Sequence, residues 1–231
     1  MRNKVFVGYD SREDIAYQAL KYSIEKHAKK LIEIIPLKLN ELTAQHGFKR
    51  TQDPLQSTEF TYTRFLTPYL CGYKGNAIFM DCDMLCFADL NEVFELDMKL
   101  YALRVVKHDQ RPTNTIKMDG KVQTSYPRKN WSSFMLLNCE KLKVWTKEAV
   151  ETMPAKWLHR FEPIPDAEIG DIPNTWNVLD HYDTYTKLIH YTEGGPWFDN
   201  YKDHPYGDKW LQYEKEFLEA NVDYARAAKN K

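Results

Sequence analysis

The stretch Ala77-Ile78-Phe79-Met80-Asp81-Cys82-Asp83-Met84-Leu85 decides how the rest of the chain is interpreted. Four apolar residues precede two carboxylates that are one residue apart, a pattern that predicts a buried strand ending in an acidic pair. Because side chains alternate along a strand, we expect Asp81 and Asp83 on one side and Cys82 on the other. Adjacent carboxylates repel each other unless a cation lies between them, and a divalent metal shared with phosphate oxygens is a common solution. A chain of this composition contains about one Asp-x-Asp pair by chance, so the prediction of a metal site depends on the apolar strand before the pair and on features further along the chain.

Length and composition exclude several classes of protein. The 231 residues suffice for one large domain, and no Pro-, Gly- or Ser-rich linker divides them. With 32 basic and 33 acidic residues the net charge is −1, which argues against a dedicated nucleic-acid-binding protein. The sequence shows no signal peptide and no apolar run of membrane-spanning length, so we expect a cytoplasmic protein. Four scattered cysteines predict neither a disulfide framework nor a zinc site.

Strand and helix patterns at the start of the chain predict an α/β protein. Residues 4–10 are a predicted strand, 13–29 an amphipathic helix and 31–36 a second strand. Such a β-α-β unit begins a parallel sheet, in which ligands bind beyond the carboxyl ends of the strands. Tyr9 and Asp10 therefore stand where a nucleotide base or ribose would bind. A simple turn role for Asp10 is the alternative.

Further elements are predicted around the acidic pair. They are helices over residues 59–70, 142–153 and 208–220, and strands over residues 100–106, 132–138 and 187–191. The segments 40–57 and 154–173 lack a clear period, and we expect loops there. Asp119-Gly120 predicts a hairpin turn that projects over the strand ends.

Several segments, in the same order along the chain, resemble the glycogenin-like glycosyltransferases of family eight. They are residues 60–70, 77–85, 87–90 and 134–141, the segment Ile172-Pro173-Asn174-Thr175-Trp176-Asn177, and the segment from His190 to Trp197. Together they cover most of the chain, which makes the resemblance more specific than any one motif. It implies a single-domain GT-A fold, in which a Rossmann-like nucleotide-binding half and an acceptor half share one mixed sheet.

The resemblance also implies a domain plan for residues 1–231. We expect the nucleotide-sugar-binding half at residues 1–105, the acceptor half with the metal-ligand strand at 106–207, and a C-terminal helix and tail at 208–231. The implied substrates are a nucleoside-diphosphate sugar, with a UDP-sugar as the expected donor, and a glycan or saccharide acceptor, as in polysaccharide biosynthesis.

The resemblance, together with strand position, assigns the site residues. Mn²⁺ or Mg²⁺ would be bound by Asp81, Asp83 and His190 together with a nucleoside diphosphate. The residues assigned to the donor nucleotide are Gly8, Tyr9, Asp10, Arg64, Asp81, Cys82, Asp83, Gly194 and Gly195. Asp109 corresponds to a residue that contacts the donor sugar.

Three segments depart from the family pattern. Gly195 stands where the family has a lysine that contacts the diphosphate, so that charge must be met by the metal, by Arg64 or by the amides of Gly194-Gly195 acting as an anion-binding nest. Asn130-Trp131-Ser132-Ser133 replaces a Phe-Asn-Ala/Ser-Gly run, and residues 165–170 replace an Asp-Gln-Asp segment. The donor sugar therefore does not follow from the resemblance, and neither the acceptor nor the oligomeric state follows from the sequence.

Two mechanisms remain open at this point. A metal on the diphosphate stabilises the leaving group, and the acceptor hydroxyl must lose a proton. Retention of configuration, which the resemblance implies, allows a diphosphate oxygen to take that proton. Inversion needs a carboxylate base, and Asp166, Glu168 and Asp109 are the candidates.

Two other functions remain alternatives. A haloacid-dehalogenase-type phosphatase also places Asp-x-Asp after a strand, but such enzymes usually have Thr or Val where this chain has Leu85. A non-catalytic nucleotide-sugar-binding protein is compatible with the missing lysine, and it would bind the donor without turnover. The sequence leaves peripheral membrane association open.

Overall fold

The fold was examined in a computed structural model, which describes residues 2–51, 56–108 and 127–228. Its strands are β1 Asn3–Gly8, β2 Ile32–Leu37, β3 Asn76–Met80, β4 Met84–Cys86, β5 Leu103–Val105, β6 Phe134–Asn138, β7 Ile169–Asp171, β8 Trp176–Leu179 and β9 Leu188–His190. Its α-helices are α1 Asp14–His27, α2 Leu39–His46, α3 Thr67–Leu70, α4 Asn91–Phe94, α5 Lys147–Thr152, α6 Ala155–His159, α7 Gly207–Ala220 and α8 Val222–Ala228. The hairpin predicted at Asp119-Gly120 lies outside the described residues.

A six-stranded mixed sheet, in the order β2-β1-β3-β6-β5-β7, carries strands from both predicted halves of the chain. β1 pairs in parallel with β2 and β3, as the β-α-β pattern predicted. β6 is antiparallel to its neighbours β3 and β5, and β7 is parallel to β5. All strands except β6 therefore end at the same edge, which we call the carboxyl edge. Ligands bind at this edge in α/β sheets. The predicted α/β class and mixed sheet are confirmed.

The middle of this sheet is apolar on both faces. Residues 77–80 of β3 and 134–137 of β6 are fully buried. Strands covered on both faces have continuous apolar runs rather than alternating ones, which explains the four apolar residues before the acidic pair. Each fully buried Leu, Phe or Met side chain contributes about 1.5–3 kcal/mol to stability. The core thus holds β3 rigidly up to the acidic pair.

The predicted buried strand ends at the acidic pair, as expected, because β3 stops at Met80, directly before Asp81. The strand that follows the pair, β4, was not predicted and belongs to a three-stranded sheet with the order β4-β9-β8. Asp81 still donates its backbone N–H to Ser133 O at 3.0 Å, beside the start of β6. Beyond that point β4 pairs with β9 instead, Met84 opposite His190. The acidic pair lies in the bend between the two sheets, where strand alternation does not apply.

Several short elements differ from the sequence prediction. The helix predicted over residues 59–70 is a 3₁₀ turn, Thr63–Leu66, followed by α3, and only α5 forms within residues 142–153. Prolines explain part of this, because Pro68 lies at the start of α3 and Pro154 separates α5 from α6. α2, α6 and β7 form in segments that were expected to be largely loops, and β8 forms where no element was predicted. Elements of three to eight residues are too short for their period to be recognised.

A second apolar cluster supports the smaller sheet. It contains Ala19 of α1, Leu85 of β4, Ile189 of β9, and Trp210 and Tyr213 of α7. The small sheet is therefore packed with both α1 and α7, which holds β9 in place. Within the described ranges, no helix combines the length and the hydropathy that a membrane span requires.

We expect Gly8→Ala to destabilise the protein, because Gly8 ends β1 against the ring of Phe60. An added β-carbon would lie 2.3 Å from Phe60 Cδ2. The free energy of unfolding, measured by urea denaturation, should fall by about 1–3 kcal/mol, as for other overpacked cores. In a Phe60→Ala background the clashing ring atoms are gone, so Gly8→Ala should cost less there. An equal cost in both backgrounds would contradict a steric origin.

Candidate functional site

Asp81, Asp83 and His190 converge at the carboxyl edge of the large sheet. His190 Nε2 lies 3.1 Å from Asp83 Oδ1 and 4.0 Å from Asp81 Oδ2. One ligand atom from each residue lies within 4.8 Å of the other two. Asp81 and His190 are buried, and Asp83 is half-buried. The structure thus brings together the three residues that the sequence analysis assigned to a metal, and the group is compatible with metal binding.

Strand pairing between β4 and β9 creates this proximity. Met84 pairs with His190, and Tyr191 donates its backbone N–H to Asp83 O at 2.9 Å. His190 therefore lies beside the acidic pair although it is distant in sequence. Because β4 and β9 are paired strands of one sheet, backbone hydrogen bonds fix the position of His190 relative to Asp83.

Arg64 neutralises one of the two carboxylates. Its Nη1 lies 3.0 Å from Asp81 Oδ1 and donates to Ser132 O at 2.8 Å. The guanidinium lies between the rings of Phe60 and Phe79, 5.3 and 5.1 Å from their centroids. Arg64 therefore pairs with a buried acid that is itself one of the metal-ligand residues, and a contact with the donor stays a prediction.

His190 is held from its other side by a chain of three hydrogen bonds. Its Nδ1 lies 2.8 Å from Asn177 Oδ1, and Asn177 Nδ2 donates to Ser133 Oγ at 2.9 Å. Ser133 Oγ donates in turn to Asn130 O at 2.6 Å. Burial lowers the pKa of His190, but the nearby charges of Asp83 and then Asp81 raise it, and the net pKa lies above its usual value.

Sequence reasoning missed two further titratable groups at this edge. Glu13 is buried in the turn after β1; burial, followed by repulsion from Asp83 and Asp10, raises its pKa to about 8. His108 follows β5, and burial, followed by the charge of His190, lowers its pKa to about 4. Its Nε2 has no hydrogen-bond partner within the described part of the chain. Neither residue belongs to a recognisable motif, so only the fold could reveal them.

Asp10 is committed to contacts within the protein. It is fully buried, caps the turn after β1 by accepting from the backbone N–H of Arg12, and accepts from Arg12 Nε and Nη2 at 2.9 and 2.7 Å. Glu59 N–H is a further donor at 3.2 Å. Burial by itself would raise the pKa of Asp10, but the Arg12 hydrogen bonds outweigh it and the pKa is lowered. This geometry matches the turn role; a ribose contact stays a prediction.

The glycines and Cys82 are tightly packed. Gly8 touches Phe60, and a β-carbon on Gly195 would lie 1.9 Å from Cζ3 of Trp197, so a lysine there would require Trp197 to move. The N–H of Gly194 already donates to Tyr191 O at 3.1 Å, so the predicted two-amide anion nest is not formed in this conformation. Cys82 is fully buried, which removes its thiol from contact with a ligand.

The candidate bases differ in their position relative to the carboxyl edge. β7 runs parallel to β5 and reaches that edge at Asp171, opposite Val105. Glu168 precedes β7, and its carbonyl accepts from Ala102 N–H before β5, which places it toward the opposite end of the sheet. Asp166 is largely exposed and pairs with Arg128, in the segment before β6, at 2.5 Å. Asp109 lies outside the described residues. The strand register thus argues against Glu168 as a base, and the roles of Asp166 and Asp109 stay predictions.

A cavity of about 1030 Å³ lies beside the end of β1, between the start of α2 and residues 56–63. The metal-ligand residues do not line it, but Tyr9 and Thr63, the neighbours of Asp10 and Arg64, do. Its lining includes the aromatic residues Tyr9, Phe48 and Tyr62, the cationic residues Arg12, Lys38 and Arg50, and the acidic residues Glu41 and Glu59. Arg12 and Lys38 are paired with Asp10 and Glu41, so the aromatic rings are the feature that suits a ligand with a flat ring.

Replacing Arg64 by Met should destabilise the protein. The substitution leaves Asp81 buried without its guanidinium partner, and breaking a buried ion pair in this way costs about 3 kcal/mol or more. Arg104→Met is the control, because it removes exposed hydrogen bonds to the carbonyls of Asp97 and Asp171 and a cation–π contact with Tyr101, and should cost only about 1–2 kcal/mol. Urea unfolding measures both, and similar losses for the two variants would contradict the assigned role of Arg64.

Comparison with known proteins agrees with this geometry. Residues 9–181 match the family described as glycosyl transferase family 8. The protein named Protein CDI from Arabidopsis thaliana is 45% identical over 236 residues, an alignment that covers 98% of this chain and 91% of that protein.

Solved glycosyltransferase structures share the fold. The galactosyltransferase LgtC, in complex with donor and acceptor sugar analogues, superposes with a TM-score of 0.55 at 12% identity, covering 92% of this chain and 95% of LgtC. The bifunctional glycosyltransferase WbbM superposes with a TM-score of 0.59 at 17% identity, covering 92% of this chain but only 51% of WbbM. GlyE of Streptococcus pneumoniae TIGR4 gives a TM-score of 0.59 at 14% identity, covering 97% of this chain and 64% of GlyE. The chain has a GT-A fold and belongs to glycosyl transferase family 8, which makes it a glycosyltransferase.

Proposed function

We propose that the chain transfers a sugar from a nucleoside-diphosphate sugar to a saccharide acceptor with the help of one divalent metal ion. The observation that carries this proposal is the convergence of Asp81, Asp83 and His190 at the carboxyl edge. Family membership rules out the phosphatase alternative and supports a transferase. It leaves open the identity of the sugar and of the acceptor.

The three donor atoms are close enough together to hold one ion between them. His190 Nε2 lies 3.1 Å from Asp83 Oδ1 and 4.0 Å from Asp81 Oδ2, and one ligand atom from each residue lies within 4.8 Å of the other two. Asp83 Oδ1 is also buried, with His190 Nε2 beside it. Two carboxylates and one imidazole suit Mn²⁺, with Mg²⁺ as the alternative.

The protein's own residues prepare the site for that ion. Arg64 balances the charge of Asp81, so the carboxylate of Asp83 keeps the cluster attractive to a cation. A bound ion would act as a Lewis acid that stabilises the charge on the departing diphosphate. Because the ligands are held by paired strands and a packed core, little reorganisation is needed when substrate binds.

We place the nucleoside of the donor in the cavity beside β1. Its position at the end of a parallel strand is typical for nucleotides in α/β sheets. The ring of Tyr9 offers an apolar face for a base, and Arg50, whose guanidinium donates to backbone carbonyls and not to a carboxylate, supplies positive charge in the lining. A UDP-sugar is the proposed donor.

Retention of configuration is the proposed stereochemical course. Of the carboxylates suggested as bases for inversion, Glu168 lies toward the other end of the sheet by the register of β7 with β5, and Asp166 is largely exposed and paired with Arg128. With retention, attack comes from the side of the leaving group, and a diphosphate oxygen can accept the proton of the acceptor hydroxyl.

UDP together with Mn²⁺ should raise the melting temperature more than either alone. At ligand concentrations about 100-fold above Kd, binding adds about 2.7 kcal/mol. For a protein of this size, that corresponds to a shift of about 5–10 °C. Asp83→Asn should abolish the Mn²⁺-dependent part of the shift, whereas Asp166→Asn, which changes an exposed carboxylate, should keep it.

A shift that is absent with every nucleotide tested, or unchanged in Asp83→Asn, would refute the proposal. Slow Mn²⁺-dependent hydrolysis of a UDP-sugar would separate a transferase from a non-catalytic binder.

Product stereochemistry tests the mechanism. We expect an α-linked donor to yield an α-linked product, observed by NMR of the anomeric proton. Removal of a true general base costs about 10²–10⁴-fold in rate. Asp166→Ala and Glu168→Ala should therefore stay within about twofold of the wild-type kcat, far below that range. A β-linked product, or a loss in the general-base range, would instead support inversion.

A further inference from the structure

We infer that Asn177 is a positioning residue that fixes which nitrogen of His190 carries the proton, and thereby keeps Nε2 available as a metal ligand. The inference rests on the proposed function, because it concerns the same metal site. Three hydrogen bonds link His190 to Asn177, Ser133 and the carbonyl of Asn130, and the donor and acceptor of each follow from the chemistry of the groups.

Asn177 occupies an irregularity in β8. Trp176 pairs with Leu188 and Val178 pairs with Ile189, so Asn177 is an extra residue in the strand. Bulges of this kind redirect a side chain. Asn177 has a φ of +75° and is fully buried. Residues other than glycine rarely adopt this conformation, and Asn and Asp tolerate it best. The bulge points the amide of Asn177 between Ser133 and His190.

The direction of the hydrogen bonds determines the orientation of the Asn177 amide. Ser133 has one hydroxyl proton, which it donates to the carbonyl of Asn130 at 2.6 Å. Ser133 Oγ must therefore accept from the Asn177 NH₂ group, 2.9 Å away. That leaves the amide oxygen of Asn177 facing His190 Nδ1 at 2.8 Å. Because an amide oxygen only accepts, Nδ1 must carry a proton. The neutral imidazole is then the Nδ1–H tautomer, with the lone pair of Nε2 toward the carboxylates.

The other neutral tautomer, with its proton on Nε2, would block metal binding. A proton on Nε2 would point into the cluster, where Asp83 Oδ1 lies 3.1 Å away, so two ligand atoms would bind each other instead of a metal. Histidines that bind metals usually donate their second N–H to an oxygen, and loss of that partner typically costs 10–100-fold in metal affinity. Here the oxygen is the amide oxygen of Asn177.

Two variants separate the hydrogen bond from the backbone conformation. Gly and Asp both tolerate the positive φ of position 177, but only Asp keeps an oxygen acceptor. In metal-free protein with ¹⁵N-labelled histidine, at a pH where the imidazole is neutral, NMR distinguishes the tautomers, and His190→Gln identifies the signal. We expect Nδ1–H in the wild type and in Asn177→Asp. Asn177→Gly should show Nε2–H and bind Mn²⁺ 10–100-fold more weakly, measured by titration with Mn²⁺ alone.

The outcomes distinguish this inference from the proposed function. An Nε2–H signal in the wild type, or an unchanged tautomer in Asn177→Gly, would overturn the inference even if Mn²⁺ binds. Tight Mn²⁺ binding by Asn177→Gly would also overturn it. If Mn²⁺ binds equally to the wild type and Asp83→Asn, the proposed metal site fails, while the tautomer measurement still decides the role of Asn177. Should Asn177→Gly not fold, as judged by circular dichroism, the wild-type and Asn177→Asp tautomers decide.

Discussion

The antiparallel pairing of β4 with β9 is the interaction on which the site depends. Asp81 directly follows β3 of the large sheet, Asp83 directly precedes β4 of the small sheet, and His190 ends β9 of the small sheet. The bend between the sheets turns two neighbouring carboxylates toward a histidine from a distant part of the chain. An apolar cluster that includes Leu85, Ile189 and Trp210 holds the small sheet against α1 and α7, so the geometry rests on buried surface as well as on backbone hydrogen bonds.

Charge is the second constraint on this junction. Burying carboxylates is costly unless a cation or hydrogen-bond donors compensate them, and Arg64 compensates Asp81. Asp83 has a buried oxygen 3.1 Å from His190 Nε2, and although burial lowers the pKa of His190, the charges of Asp83 and Asp81 outweigh it and the pKa is raised. The Nδ1–H hydrogen bond to Asn177 disfavours only the neutral tautomer that has its proton on Nε2. The junction therefore suits a cation at this point, either a proton on an imidazolium or the metal proposed above.

Large parts of the fold were predictable because they have a strong local pattern. The first β-α-β unit and the apolar strands β3 and β6 are long or continuous enough to be recognised. The short elements β7, β8 and α6 were not, since three to five residues carry no readable period. The sheet break after Met80 was also missed, because the apolar pattern continues through Met84 and Leu85 while the pairing partner changes.

The sequence by itself determined the α/β class, the acidic pair and, through its resemblance to family eight, the choice of His190 and Arg64. These features rest on residue type and order, which a chain displays without being folded. Only the tertiary structure decided that Arg64 pairs with Asp81, that Asp10 is occupied by Arg12, and that Asn177 supports His190. These contacts join segments through pairing register, a bulge and hydrogen-bond direction. Such quantities depend on where strands lie in space, and no local pattern of residues encodes them.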